Sequence, residues 1–542
     1  MRTLFSKPST PIGLFAISLL ALALLVLAAT GCNTAKKGDR PAGLQDPIYT
    51  IADPAGDWGF PSPFAHYSRG PGYVRMSFIF DTLIWKDNQG YIPALAKSWE
   101  FLKDENAYLF LLQDQATWHD GHPFTAKDVV FSMDYMKAHS YEWVNLGVVK
   151  KAEAVDDFTV KLYLNRPYAP FLEHIAGTAP ILPEHIWKDI QEPRQFLQKE
   201  ALIGTGPFKL KDYSKEQGTY LYEAYSQYYQ GTPKISRLKF VKVRNEMAAA
   251  ALRQKQVNVA QVPPEIAGEL KKEGLRKLTG RHDWVAKLMI NHQKAPLDSV
   301  EFRQALAYAI DRRALVATCQ RGHGLEGSPG LVPPDNSWFN ARAAAAYPYD
   351  CVKAAEILAG LGYEKKDGCF KKDGQTLELE LLISGGGTGV SGFPGEREGE
   401  MVKEMLETAG IKINLRSLEA KILDNLVNEW KFDLALSGHG GMGGDPETLN
   451  KVISGKAFIS ARFNRSDELN LLLEQQMKET DQDRRREFVN RIQEVYAREM
   501  PCLPLYYPTW DYLSDDRVSL YFTPQGIGSG VPQPLNKMSF LN

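Results

Sequence analysis

Apolar and polar positions along the chain recur with two different periods, and each period predicts its own kind of element. Helical spacing, which gathers apolar side chains on one face, is clearest in four places. Thr125-Ala126-Lys127-Asp128 has the spacing of a capping box, and Val129, Val130, Met133 and Met136 follow at helical intervals. A second helix opens across Asp298 to Glu301 and carries the stripe Phe302, Ala305, Leu306, Ala309 and Ile310. Asp350 caps a third, which runs through Ala354, Ala355 and Leu358 until Gly360 and Gly362 stop it. The fourth carries Met401, Val402, Met405, Leu406 and Ala409 and halts at Gly410. Strand patterning flanks it, at Leu377 to Ile383 and at Ile411 to Leu415. Strand, helix, strand in that order is a parallel unit, so 300–499 reads as one α/β lobe. Upstream the texture changes to strands at Leu109 to Leu112, Val160 to Leu164 and Leu238 to Val243, separated by Pro- and Gly-rich turns. Two lobes follow, with the chain crossing near Lys287 to Asn291 and returning near Leu503 to Tyr507.

A chain of 542 residues is too long for one core and fits two or three packed units. Lys plus Arg is 64 against 65 for Asp plus Glu, and a net charge of -1 offers no bulk attraction to nucleic acid. The first segment changes the picture more. Arg2 and Lys7 precede an uncharged stretch from Ile12 to Ala29, then small residues and a polar run. That order describes an export signal, with an uncleaved membrane anchor as the rival reading. The tail Ala29-Thr30-Gly31-Cys32 resembles the bacterial lipoprotein signal, in which Cys32 becomes the lipidated first residue, although Ala29 stands where Leu is usual. Acyl chains on Cys32 hold a soluble body at a membrane surface, so the body is expected outside the cytoplasm on a tether to about Asp46.

Four further cysteines remain, Cys319, Cys351, Cys369 and Cys502, too few to staple so large a chain. They read as buried free thiols or as one bridge, with Cys351 to Cys369 the candidate pair. Catalytic patterns are missing: the sequence has no P-loop, no G-x-S-x-G and no H-E-x-x-H. The run Gly385 to Gly392 lacks the lysine and ordered glycines of a nucleotide site and reads as a loop at a lobe edge. His185 has no second His nearby in sequence, so a helix start after Pro183 explains it better than metal. No enzyme, cofactor or metal site is expected.

Several ordered motifs carry a resemblance. Trp118 to Ser132, reading WHDGHPFTAKDVVFS, is similar to the W-x-D-G-x-P-F-T-A-x-D-V-x-x-S signature of the family 5 extracellular solute-binding proteins, the peptide and nickel receptors of ABC importers. Ala179 to Pro183, Gly204-Thr205-Gly206-Pro207-Phe208 and Tyr228 to Pro233 follow in the family's order. Next come Asn291 to Pro296, Phe302 to Arg312, Gly444-Asp445-Pro446 and Pro501 to Tyr506. The resemblance implies a two-lobed α/β periplasmic-binding-protein (Venus-flytrap) fold with an extra subdomain inserted in the N-terminal lobe. The implied divisions are a signal peptide at 1–31, a tether at 32–46 and an N-terminal lobe at 47–286 with its insertion at about 90–202. A C-terminal lobe at 287–504 and a return segment at 505–542 complete them. It also implies a monomer that closes on a small solute by a hinge and docks on a permease driven by a cytoplasmic ATPase.

Two departures bear on the ligand. Dipeptide receptors of the family place an Asp three residues before the D-P pair to bind the peptide's amino group; here that place is Met442, which cannot compensate an ammonium. The Trp that usually opens that loop is His439, and the carboxylate-binding Arg aligns near Gly389, with Arg397 too late. The ligand-binding residues expected are Trp58, Tyr67, Arg69, Tyr73, Asn291, His439, Gly440, Gly441, Met442, Asp445 and Trp510. Core or interlobe packing is the competing role for each aromatic. A peptide-like solute is the leading ligand; a chelated metal or an oligosaccharide is the alternative within the fold. Outside transport stand a signalling or chaperone-like binding module and a secreted hydrolase, which would require a titratable pair in the cleft.

Overall fold

The computed structural model describes residues 48–385, 394–456 and 459–541. The export signal, Cys32, the tether and Gly389 lie outside them. Two sheets organise the described chain. The first has seven strands in the order Arg276–Thr279, Asp511–Ser514, Val259–Val262, Tyr49–Asp53, Arg237–Lys242, Thr219–Ala224, Phe208–Ser214. Tyr49–Asp53 is central and pairs in parallel with both neighbours, Val259–Val262 and Arg237–Lys242. The second has six strands in the order Gly324–Glu326, Cys502–Pro508, Val285–Ile290, Leu434–His439, Glu378–Ser384, Lys412–Leu418.

The patterned elements form close to where their periods put them. Thr125 and Asp128 make the reciprocal capping box of helix Ala126–Ala138, with Thr125 N donating to Asp128 Oδ2 at 2.9 Å. Ser299, within the expected opening, caps helix Val300–Ala309 by accepting from Phe302 N at 3.2 Å. Asp350 caps Cys351–Gly360, and Gly410, at φ 98°, ends Glu396–Ala409 in the left-handed conformation that glycine adopts without strain. Glu378–Ser384 then pairs in parallel with Lys412–Leu418, across the helix that joins them. A four-stranded antiparallel sheet, Ala96–Leu102, Ala107–Leu112, Thr159–Leu164 and Val149–Asp156, lies with helix Ala126–Ala138 beside the first sheet's core.

Three corrections follow from the structure. Lys287 to Asn291 and Leu503 to Tyr507 are not crossing segments: Val285–Ile290 and Cys502–Pro508 are neighbouring strands inside the second sheet, buried on both faces. The chain passes between sheets at 280–284 and at 509–510. Cys351 and Cys369 are both free, as are Cys319 and Cys502. Cys351 begins a helix of 10 residues, whereas Cys369 lies on a hairpin at the far end, where Lys372 Nζ donates to Leu361 O at 2.9 Å. A helix of that length separates its two ends by about 15 Å, far beyond disulfide reach.

The tail after Ser514 has little regular structure yet returns to the first core. Val518, Leu520, Ile527, Leu535 and Phe540 are all buried there, each stabilising by about 1.5–3 kcal/mol before ordering costs. Polar anchors fix its path: Trp85 Nε1 donates to Asn536 Oδ1 at 2.8 Å, and Lys537 pairs with Asp81 in full burial.

Candidate functional site

The central strand Tyr49–Asp53 ends at a cavity of about 490 Å³. Asp53 organises that end. Its Oδ1 accepts from Ala55 N at 2.9 Å and Gly56 N at 3.0 Å, which turns the chain sharply out of the sheet. Its Oδ2 accepts from Trp58 Nε1 at 2.9 Å and from Arg75 Nη2 at 2.6 Å. Arg75 comes from helix Gly70–Ser77 and lays its guanidinium over the Phe240 ring, 3.9 Å from the centroid. Trp58, Phe240, Trp510 and Tyr512 supply aromatic wall, and Asn245, Gln261 and Gln533 supply carboxamides. Asp53 and Arg75 are the charged residues of the lining, and they neutralise each other. Trp510 sits on the passage between the sheets, where its carbonyl accepts from Gly280 N at 2.7 Å.

The turn beyond Asp53 is held by phenols. Asp57 accepts from Tyr67 at 2.8 Å and from Tyr213 at 2.7 Å, and Tyr220 OH takes the Trp58 amide at 2.7 Å. Burial tends to raise the Asp57 carboxyl, but the phenols and the Gly59 amide outweigh it and hold it low. Tyr67 is therefore an exposed buttress of this turn rather than part of the cavity wall. Arg69 is exposed, and its charge faces Asp424 from the other lobe. Tyr73 is fully buried: its hydroxyl donates to Thr178 O at 3.1 Å and its ring lies 4.9 Å from Trp143, so it is a core residue.

The loop after strand Leu434–His439 departs from expectation. Met442 is 3 % exposed and packs with Val332, Trp338, Leu449 and Val489 in the second lobe's core. The carboxylate at this loop is Asp283, which accepts from Gly441 N at 2.9 Å and from Gly443 N at 2.5 Å. Burial lifts the Asp283 carboxyl to about 7 although both amides oppose it. Asp283 precedes an apolar strand without any motif, so sequence reasoning had no signal for it. His439 pairs in register with Val285, donates from Nδ1 to Gly440 O at 2.9 Å and leaves Nε2 without a partner. Burial and then the Lys287 ammonium keep its imidazole neutral, well below the ordinary range. Gly440 stands against Asp283 and Trp284. Asp445 is bound in two-point fashion by Arg485, at 2.7 and 2.6 Å, and so anchors the loop. Asn291 follows the opposite end of the strand that starts beside His439; its amide donates to Trp430 O at 3.2 Å and Phe432 O at 2.8 Å, a structural role.

Of the expected residues, the structure brings Trp58 and Trp510 to the cavity and sets Gly440 and Gly441 against Asp283, with His439 bonded to Gly440 O. The 525–533 segment links the two regions. Pro532 and Gln533 line the cavity, and Gly530 lies against Gly444, where an added Cβ would stand 3.2 Å from the Gly530 Cα. The lobes also touch where Ala169 N donates to Met477 O at 2.9 Å and where His174 Nδ1 meets Glu447 Oε2 at 2.8 Å.

Among the described residues no helix is long and apolar enough to cross a membrane. The chain is similar to Heme-binding protein A of Haemophilus influenzae, 27% identical over 76% of this chain and 78% of that protein. It is 32% identical to the Dipeptide-binding protein of Escherichia coli over 51% of this chain and 55% of that one. Its fold is that of NikA from Brucella suis, solved with Fe(III)-EDTA, at a TM-score of 0.77 and 20% identity over 90% of this chain and 99% of that chain. Residues 90–459 match the model described as Bacterial extracellular solute-binding proteins, family 5 Middle, and the chain therefore belongs to this family of solute-binding proteins, which are not enzymes.

Proposed function

We propose that the protein captures a peptide-like solute in the cavity between Trp58 and Trp510 and presents it to the permease of an ABC importer. The carrying observation is the wall itself: aromatic faces, three carboxamides and one internally neutralised ion pair. Carboxamides donate and accept as peptide bonds do, and the aromatics remove apolar side chains from water. About 490 Å³ lies within the range of small-molecule sites. A fully compensated Asp53 has no charge to spare for a free amino terminus, and Met442 faces the core. The solute read from this wall is accordingly one whose termini are blocked or lie outside the cavity. A relative named for dipeptide supports the peptide class. Trp510 lies on the passage between the lobes, so a solute in this cavity touches the segment about which the lobes close in the proposed cycle. Anchoring through a lipidated Cys32 completes the reading, with the body outside the cytoplasm.

The lining contains no His, Cys or Met, so a metal chelate or heme held here would be gripped through its organic part. The test is native mass spectrometry of the solute that co-purifies, followed by thermal shift with N-acetylated peptides, free-amine dipeptides, heme and Ni(II)–histidine. Stabilisation by blocked peptides, lost in Trp58→Ala and Trp510→Ala, is expected. Stabilisation by heme or the chelate alone, or tight binding of free-amine dipeptides, overturns the proposal.

A further inference from the structure

The fold brings together three metal-ligating side chains that are far apart in sequence and belong to no part of the cavity. Asp120 and His122 sit on a tight turn in which Gly121 N donates to Trp118 O at 2.8 Å and Trp118 N to His122 O at 2.8 Å. Gly121 takes φ 93°, a conformation open to glycine, and that places both flanking side chains on the same side of the turn as His185. His185 follows Glu184, whose amide donates to Asp128 Oδ1 at 3.1 Å, so the capped helix Ala126–Ala138 fixes its backbone. Asp120 receives both imidazoles. His185 Nε2 is 2.7 Å from its Oδ2, and His122 Nδ1 is 3.2 Å from its Oδ1. The two rings lie 4.3 Å apart, and the three ligand atoms all lie within 4.8 Å of one another.

We infer that Asp120, His122 and His185 form a surface site for a late first-row divalent cation such as Zn²⁺ or Ni²⁺. Two imidazoles and one carboxylate suit these ions; Mg²⁺ and Ca²⁺ require oxygen shells. At metal–ligand distances near 2.0–2.1 Å, tetrahedral donors stand about 3.3 Å apart. The observed spacing needs only a small contraction, and the His122 side chain, 62% exposed, is free to make it. Backbone held by independent hydrogen bonds keeps the three donors convergent before any ion arrives, which limits the ordering cost of binding. Three protein donors leave a coordination position for water or an outside ligand, unlike a closed structural site. The donors are on the surface of the lobe, and none lines the cavity, so the site is separate from solute capture.

The test is isothermal titration calorimetry of the untagged full chain in detergent, stripped with chelator, against ZnCl₂ and NiCl₂. One equivalent is expected to bind, at least about tenfold more weakly in His122→Ala and Asp120→Asn, and unchanged in His139→Ala, a half-buried imidazole outside the cluster. Melting temperatures of the metal-free variants separate a lost ligand from a lost fold, and exposed His122 is expected to leave them unchanged. No binding by the wild type, or equal affinity in a folded His122→Ala variant, overturns the assignment.

Discussion

The cavity floor rests on one buried ion pair, and Arg75→Ala tests whether that pair holds it. Arg75 is 2% exposed and Asp53 11%, with 2.6 Å between Nη2 and Oδ2. After substitution the Asp53 carboxylate keeps its neutral donors, the amides of Ala55 and Gly56 and the Trp58 indole, but loses its counter-charge. Removing one partner of a buried pair costs about 3–5 kcal/mol, because the charge left behind is uncompensated. The guanidinium lying over Phe240 adds a cation–π contact of about 1–2 kcal/mol, already included when the whole side chain is removed. Asp53→Ala is expected to cost a similar amount for the same reason. The double variant should cost less than the sum of the two by at least about 1.5 kcal/mol, since the second substitution removes a group already stranded. Urea unfolding followed by far-ultraviolet circular dichroism reads all three variants. A loss below about 1 kcal/mol in Arg75→Ala, or strict additivity in the double variant, refutes the idea that the pair holds this floor.

Asp283 couples the 441–443 loop to pH. Its folded carboxyl titrates at about 7, above the ordinary value near 4, so its stabilising contribution is full below about pH 4 and is lost as pH rises through 7. About three pKa steps amount to roughly 4 kcal/mol, and Asp283→Asn is expected to flatten that part of the stability–pH curve; an unchanged slope refutes the assignment. Glu447 runs the other way: burial raises its carboxyl, but His174 and Lys451 outweigh it and hold it at about 2. Its contribution, about 3 kcal/mol, is present above pH 4.5 and lost as pH falls toward 2, so Glu447→Gln should melt with less acid sensitivity in that window. If the melting temperatures of variant and wild type fall in parallel, Glu447 does not carry the effect. Gly204→Ala puts a Cβ 2.1 Å from the Ile79 carbonyl oxygen and is expected to cost about 1–3 kcal/mol. Gly268→Ala, in helix Pro264–Lys272 with nothing near its added Cβ, should instead stabilise by about 0.5–1 kcal/mol; equal urea midpoints for the two variants count against this contrast.

Helices and strands were legible because their signals are local. The capping box at Thr125 and Asp128, the glycine stop at Gly410 and the alternation around Leu379 and Ile413 each involve residues within a few positions of one another. The spacing in Gly204-Thr205-Gly206-Pro207 also has a visible cause: an added Cβ at Gly204 or Gly206 would run into the backbone of Ile79. Less of the site was legible. Trp58 and Trp510 reach the cavity, whereas Tyr73, Asn291, Met442 and Asp445 have protein partners of their own away from it. A polar or aromatic side chain near a cleft reads the same in sequence whether its partner is solute or protein.

By itself, then, the sequence determined the elements and their caps, which are interactions between near neighbours along the chain, and it carried the ordered motifs of the family. Tertiary structure alone decided which charges meet. Asp283 reaches the amides of Gly441 and Gly443 from 158 and 160 positions away, and Asp120 meets His185 across 65. Such meetings depend on strand order and loop path, which no periodicity records, and burial then sets the charge state of each group that is brought together.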